Sequence, residues 1–286
     1  STNTTMFWPD TGEPMQGETH SIGGEEIFVA DSGGAPPAIV FVHGTMMDGT
    51  VWHRQVSALA PRFRCVCPDL RGHGRSTASS PEISFEDHCD DLAVLVERLS
   101  LADVILVGWS MGGLICQLFI TRHPAVASRL VLVDTIPQRL SDERFAFGQD
   151  AASTPRTRQA LETDFEHTAR GFGRRIAPED EEVAAYSSNN AANARQDVSI
   201  NDYVSTDARS LLDNLAHISV PTTIISGSRD LVCKPAASDY MAKHIPGCTN
   251  GVQVIDGAGH APFLTRPREF NALLTTAMES DARPGR

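Results

Sequence analysis

The stretch Gly108-Trp109-Ser110-Met111-Gly112-Gly113 follows the apolar run Val104-Ile105-Leu106-Val107 and precedes Leu114-Ile115-Cys116-Gln117-Leu118-Phe119-Ile120. A β-rich run, a turn of small residues and an apolar helical run, in that order, place a serine on a sharp strand-to-helix bend. Such a bend strains the serine backbone, so Gly108 and Gly112 have to be small where neighbouring backbone passes. The helix opening at Met111 has N–H groups with no acceptor one turn back, and these point at whatever the serine attacks. A G-x-S-x-G match alone is weak, and the strand and helix on either side give it weight.

A hydroxyl near its free pKa is a poor nucleophile, so Ser110 needs a base, and the base needs an orienting carboxylate. His260 is the candidate base. It sits in Asp256-Gly257-Ala258-Gly259-His260-Ala261-Pro262-Phe263, a loop of small residues just after the strand-like Val252-Gln253-Val254-Ile255. Two carboxylates follow strand-like runs: Asp230 after Pro221-Thr222-Thr223-Ile224-Ile225-Ser226-Gly227, and Asp134 after Val131-Leu132-Val133. Asp256 is close to His260 in sequence, but it lies on the strand side of a Gly-rich turn and is poorly placed to hold the ring.

The order Ser110, Asp230, His260 resembles that of the α/β-hydrolase family. Further matches are Phe41-Val42-His43-Gly44 after Ala38-Ile39-Val40, and the D-x-R-G-x-G-x-S pattern Asp69-Leu70-Arg71-Gly72-His73-Gly74-Arg75-Ser76. Within the family the chain is similar to small carboxylesterases and lactonases of the pimeloyl-carrier-protein methyl ester esterase and 3-oxoadipate enol-lactonase type. The shared features are the Gly-Trp-Ser-x-Gly-Gly elbow and His260-Ala261-Pro262-Phe263 followed by Arg266-Pro267-Arg268-Glu269-Phe270. One difference is Thr45-Met46-Met47, where the methyl ester esterases carry an aromatic residue after His-Gly.

The resemblance implies a mostly parallel, eight-stranded sheet flanked by helices, with a core of residues 1–136 and 216–286 and a helical cap over 137–215. It implies a serine hydrolase that cleaves an ester or lactone through an acyl-enzyme, with Ser110, His260 and Asp230 as triad. Asp230 is expected over Asp134, because Gly227-x-x-Asp230-x-Val232 resembles the family's acid turn. Backbone N–H groups of Thr45 and Met111 would form the oxyanion hole, and Met46, Trp109 and Phe263 would wall the substrate pocket, although Trp109 fits the core equally well. No metal or organic cofactor is implied. The same scaffold also serves C–C bond hydrolysis, perhydrolysis or haloperoxidation, cofactor-free dioxygenation and ligand reception, because fold does not fix function.

At 286 residues the chain can bury one large core, and 41% hydrophobic with 21% charged residues is an ordinary globular balance. A net charge of −12 argues against nucleic acid as a partner, because phosphate attraction needs a concentrated positive face. No apolar run reaches the roughly 18 residues of a membrane span. Ser1–Trp8 shows no basic and apolar leader, so a cytoplasmic protein is expected. The six cysteines have neither zinc nor disulfide spacing and read as reduced core residues.

Glu18–Gly34 reads as a hairpin turning at Gly23-Gly24, and Val51–Leu59 as a short helix. A longer helix starts after Ser84, with an apolar stripe of Phe85, Cys89, Leu92, Leu95, Val96 and Leu99. His53, His88, His123, His167, His217 and His244 fall on helices or helix ends and are expected in solvent, whereas His43 and His73 fall in the family's turns. The arginines and acids of 137–215, including Glu179-Asp180-Glu181-Glu182, fit a solvated mixed surface. The tail 281–286 looks frayed.

Overall fold

The computed structural model describes residues 4–7 and 14–279, and the tail 281–286 lies outside them. Among the described residues nine strands form one sheet in the order β1-β2-β3-β5-β4-β6-β7-β8-β9. The strands β2 (Pro14–Ile22) and β3 (Glu25–Asp31) make the expected hairpin. Its two-residue turn has φ of 56° at Gly23 and 82° at Gly24, the left-handed pair that matches strand twist. A short β1 (Thr4–Phe7) pairs antiparallel with β2 and adds an edge to the eight strands expected from the sequence.

The remaining strands are parallel to one another: β4 (Ala38–Val42), β5 (Arg64–Pro68), β6 (Val104–Trp109), β7 (Ala127–Val133), β8 (Thr222–Gly227) and β9 (Val252–Ile255). Every residue of β4 and β6 is buried, as a sheet covered on both faces requires. Alternate side chains go to opposite faces. Ile39, Phe41, Ile105 and Val107 join one apolar cluster, and Val40, Val42, Val104 and Leu106 join the other.

The helix expected at Val51–Leu59 divides into a 3₁₀ turn, Gly49–Trp52, and α1 (His53–Leu59). The next, α2 (Phe85–Arg98), opens on a capping box in which the Ser84 hydroxyl accepts from the Asp87 amide at 3.0 Å and the Asp87 carboxylate from the Ser84 amide at 2.8 Å. Then α3 (Met111–Arg122) carries the turn of Ser110 into the core. His53 and His88 correct the expectation of solvated histidines, since both are buried. Position 88 falls three residues after Phe85 and four before Leu92, on the apolar stripe itself.

Between β7 and β8 the described chain has no strand, only isolated bridges, four α-helices, α4 (Ser153–Thr163), α5 (Phe165–Ile176), α6 (Glu181–Ala192) and α7 (Gln196–Ala208), and a 3₁₀ turn, Leu215–His217. The segment around Arg158–Phe165 is broken at Asp164, where φ of −146° ends α4 before α5 begins. After β8 come α8 (Pro235–His244), α9 (Pro262–Thr265) and α10 (Pro267–Glu279). Among the described residues no helix is long and apolar enough to cross a membrane.

Candidate active site

The parallel strands deliver the chemistry to one edge. Ser110 follows β6, Asp134 follows β7, Asp230 lies three residues beyond β8, and His260 lies in the loop after β9. In an open α/β sheet this carboxyl edge is where ligands bind.

Ser110 has φ 54° and ψ −119°, a conformation that L side chains rarely adopt. Strain of this kind costs about 1–3 kcal/mol and persists only where the surroundings enforce it. They do so through the Ser110 amide, which donates to the Val133 carbonyl at 3.1 Å, and the Ser110 carbonyl, which accepts from the Thr135 hydroxyl at 2.6 Å. The glycines are small because backbone crosses them: a Cβ at Gly108 would lie 2.5 Å from the Gly112 carbonyl oxygen, and one at Gly112 would lie 2.5 Å from that of His43.

His260 is completely buried, and its Nδ1 lies 2.8 Å from Asp230 Oδ2. A carboxylate oxygen can only accept, so Nδ1 is the donor, and in the neutral ring the lone pair falls on Nε2. Among the described residues Nε2 has no hydrogen-bond partner. Leaving a buried polar atom unpaired costs about 1–3 kcal/mol, which makes such an atom a candidate for chemistry. Asp230 is fixed in turn by the Val232 and Cys233 amides, which donate to its Oδ1 at 2.7 and 3.0 Å. The loop of His260 is held at two further points, by the Trp109 indole donating to the His260 carbonyl at 2.7 Å and by the His260 amide donating to the Ile176 carbonyl at 2.9 Å. Trp109, the residue before the serine, is thus tied to the histidine backbone.

Among the described residues no hydrogen bond joins Asp134 to His260, and its carboxyl neighbours Asp230 instead. Asp134 Oδ1 accepts from the Gly227 amide at 2.9 Å and the Ser226 hydroxyl at 3.2 Å. Burial, reinforced by the neighbouring Asp230, pushes its carboxyl well above the usual carboxylate range. Asp256 accepts from the Ser228 hydroxyl at the surface, away from the imidazole.

The loop after β4 packs against the serine: a Cβ at Gly44 would lie 3.2 Å from Ser110 Cβ and 3.3 Å from the Trp109 ring. His43 anchors this loop, with Nδ1 donating to the Gly44 carbonyl at 2.8 Å and Nε2 accepting from the Leu70 amide at 3.0 Å. Those roles need a neutral ring, and burial together with nearby His73 holds its pKa well below the ordinary value. Met46 adopts φ 58°, so the loop beside Thr45 is itself held out of its relaxed conformation. Neither the Thr45 nor the Met111 amide donates to an acceptor among the described residues.

Residues 37–267 match the family described as the alpha/beta hydrolase fold. The chain belongs to that family. It is 30% identical over 267 residues to the pimeloyl-[acyl-carrier protein] methyl ester esterase of Chromobacterium violaceum, covering 87% of this chain and 97% of that protein. Among solved structures, an esterase from Exiguobacterium antarcticum superposes with a TM-score of 0.85 at 23% identity, over 92% of this chain and 98% of that one. The enol-lactonase from Burkholderia xenovorans gives 0.81 at 24% identity, over 92% of this chain and all of its own.

Two cavities lie around the candidate site of this α/β-hydrolase, and the lining of neither includes Ser110 or His260. One, of about 290 Å³, lies between the loop after β4 and helices α6 and α7, and its lining includes Met46, Met47, His73, Asn190, Ala194 and Val198. The other, of about 480 Å³, is bordered by Pro178, Glu179, Arg229, Asp230 and Leu231. Met46, expected at the pocket, lines the first. Trp109 and Phe263, also expected there, line neither. They are packed together in the core at 5.0 Å between ring centroids, and Phe263 stacks on Trp52 at 4.3 Å.

Asp230, Cys233 and His260 place ligand atoms within 4.8 Å of one another. Both Asp230 oxygens and His260 Nδ1 are already engaged, however, and burial next to Asp230 and Asp134 pushes the Cys233 thiol well up, so it keeps its proton. This donor set fits a hydrogen-bonded acid turn better than a cation. The sequence missed Thr135, Ile176 and Asp202, the last accepting from the Thr45 hydroxyl and facing His73 Nε2. Each acts through a tertiary contact, and none belongs to a local motif.

Proposed function

We propose that this carboxylic ester hydrolase, a serine hydrolase acting on an ester or lactone, works through Ser110, His260 and Asp230 as a triad. The buried imidazole supports this reading most strongly, since Asp230 fixes its Nδ1 proton and leaves Nε2 as an unpartnered base. Ser110 Oγ attacks the carbonyl carbon as Nε2 takes its proton, and the resulting imidazolium is stabilised across the 2.8 Å contact to Asp230. The oxyanion accepts hydrogen bonds from the Thr45 and Met111 amides, each worth about 3–4 kcal/mol in comparable sites. Collapse expels the alcohol, protonated by His260, and water then releases the acid by the same route.

The reading extends to residues 137–215 as a helical cap on a core of 1–136 and 216–286. The 290 Å³ cavity, which runs from the Met46 loop to α6 and α7, would take the acyl chain. Filling it tests both ideas on a panel of p-nitrophenyl esters. Ala194→Phe is expected to lower the octanoate-to-acetate ratio of kcat/KM by about tenfold or more, because hydrophobic pockets discriminate by roughly 1–3 kcal/mol per methylene lost. An unchanged ratio would place the acyl group elsewhere. Absence of turnover on every ester and lactone tried would overturn the esterase reading itself.

A further inference from the structure

Asp202, on the second turn of α7, accepts two hydrogen bonds at one oxygen: Oδ2 lies 2.9 Å from Thr45 Oγ1 and 2.8 Å from His73 Nε2. Asp202 and His73 are both buried. The His73 ring also faces the Arg71 carbonyl through Nδ1 at 3.0 Å. A carbonyl and a carboxylate both only accept, so the two ring nitrogens are both donors and the ring is an imidazolium paired with the Asp202 carboxylate. The Asp202 charge is the main influence raising the His73 pKa against the effect of burial. A buried carboxylate of this kind is a strong acceptor, and hydrogen bonds to charged groups are about twice as strong as neutral ones.

The second bond at this oxygen reaches Thr45, in the loop that packs against the serine through Gly44. Thr45 follows Gly44, whose position presses on Ser110, and precedes Met46, whose left-handed backbone needs outside support. The helix that carries Asp202 is itself tied to the core. The Asn201 side chain donates to the Ile83 carbonyl at 2.9 Å, and Arg209 pairs with Glu86 at 2.7 Å. The support therefore comes from a docked element.

We propose that Asp202 is a positioning residue for the oxyanion hole, holding the Thr45 amide on target through the Thr45 hydroxyl while His73 holds Asp202. This makes the oxyanion loop depend on a helix of the segment between β7 and β8 as well as on the core. The inference rests on the reading of the Thr45 amide as an oxyanion donor and of Ser110 as the nucleophile.

The test is steady-state hydrolysis of p-nitrophenyl acetate by Thr45→Val, Thr45→Ser, Asp202→Ala and the double variant Thr45→Val/Asp202→Ala, with Ser110→Ala alongside. Thr45→Val keeps the shape and removes only the hydroxyl. It is expected to lower kcat by about 10- to 100-fold with KM changed less than about threefold, because the donor acts in the transition state and small misplacements there are costly. Thr45→Ser should restore most of that loss. In the double variant, the valine should lower kcat by less than about twofold beyond Asp202→Ala, since both changes break one linkage. Asp202→Ala leaves a buried imidazolium unpaired and could unfold the protein, in which case Thr45→Val and Thr45→Ser decide the question alone. If Thr45→Val keeps wild-type kcat, or if Thr45→Ser is as slow as Thr45→Val, the positioning role is wrong. Activity that survives in Ser110→Ala would instead overturn the reading on which it rests.

Discussion

Ser110→Ala is expected to lower kcat for ester hydrolysis by about 10⁶-fold, the size of loss that follows removal of a triad serine, while the protein stays folded. Both parts follow from the elbow. The strain at Ser110 is held by backbone contacts, the amide to Val133 and the carbonyl to Thr135, and alanine keeps both. The hydroxyl, by contrast, is the group the proposed mechanism uses as nucleophile, with His260 Nε2, buried and unpartnered among the described residues, as its base. Turnover within tenfold of wild type would show that the carbonyl is attacked by something other than Ser110. The dioxygenase-type use of this scaffold, with His260 as base on a substrate hydroxyl, would then be the better account.

Asp230→Asn is expected to lower kcat by about 10⁴-fold with little change in KM, whereas Asp134→Asn should stay within about tenfold of wild type. An asparagine at 230 can turn its NH₂ toward Nδ1, which forces the imidazole into the other tautomer and takes the lone pair away from Nε2. At 134 the chemistry differs, because the carboxyl is pushed above its usual range by burial and by Asp230, and asparagine mimics the protonated acid. The sign for stability follows. A carboxyl whose folded pKa is raised binds its proton more tightly in the folded state, so it destabilises the fold as pH rises above the unfolded value near 4. Asp134→Asn removes that penalty, and urea titrations at pH 7 should show it at least as stable as wild type. A loss of activity at 134 larger than at 230 would move the acid to the end of β7.

The candidate site was legible in the sequence wherever its geometry is local. The elbow, the His43-Gly44 turn, the acid turn at Asp230 and the small residues before His260 each combine a strand end with residue types that only a sharp bend requires. The parallel strands were visible as short apolar runs because both faces of the sheet are covered. What escaped is what tertiary contact decides. Asp202 sits 157 positions from Thr45 and 129 from His73, on a helix rich in polar residues where one more aspartate carries no signal. Trp109 and Phe263 have the residue types of a pocket wall, yet their rings fill the core between β6 and α9, and the indole supports the His260 backbone. The burial of His88 was readable from its place on the α2 stripe, but the polarity of histidine outweighed its position.

If Ser110 becomes acylated, acid-quenched mass spectrometry during turnover of a p-nitrophenyl ester will trap the intermediate. An adduct of the acyl mass is expected on the peptide that contains Ser110, building up before steady state and absent in Ser110→Ala. Steady turnover with no adduct, or with the acyl group on another residue and undiminished in Ser110→Ala, would contradict acylation of Ser110.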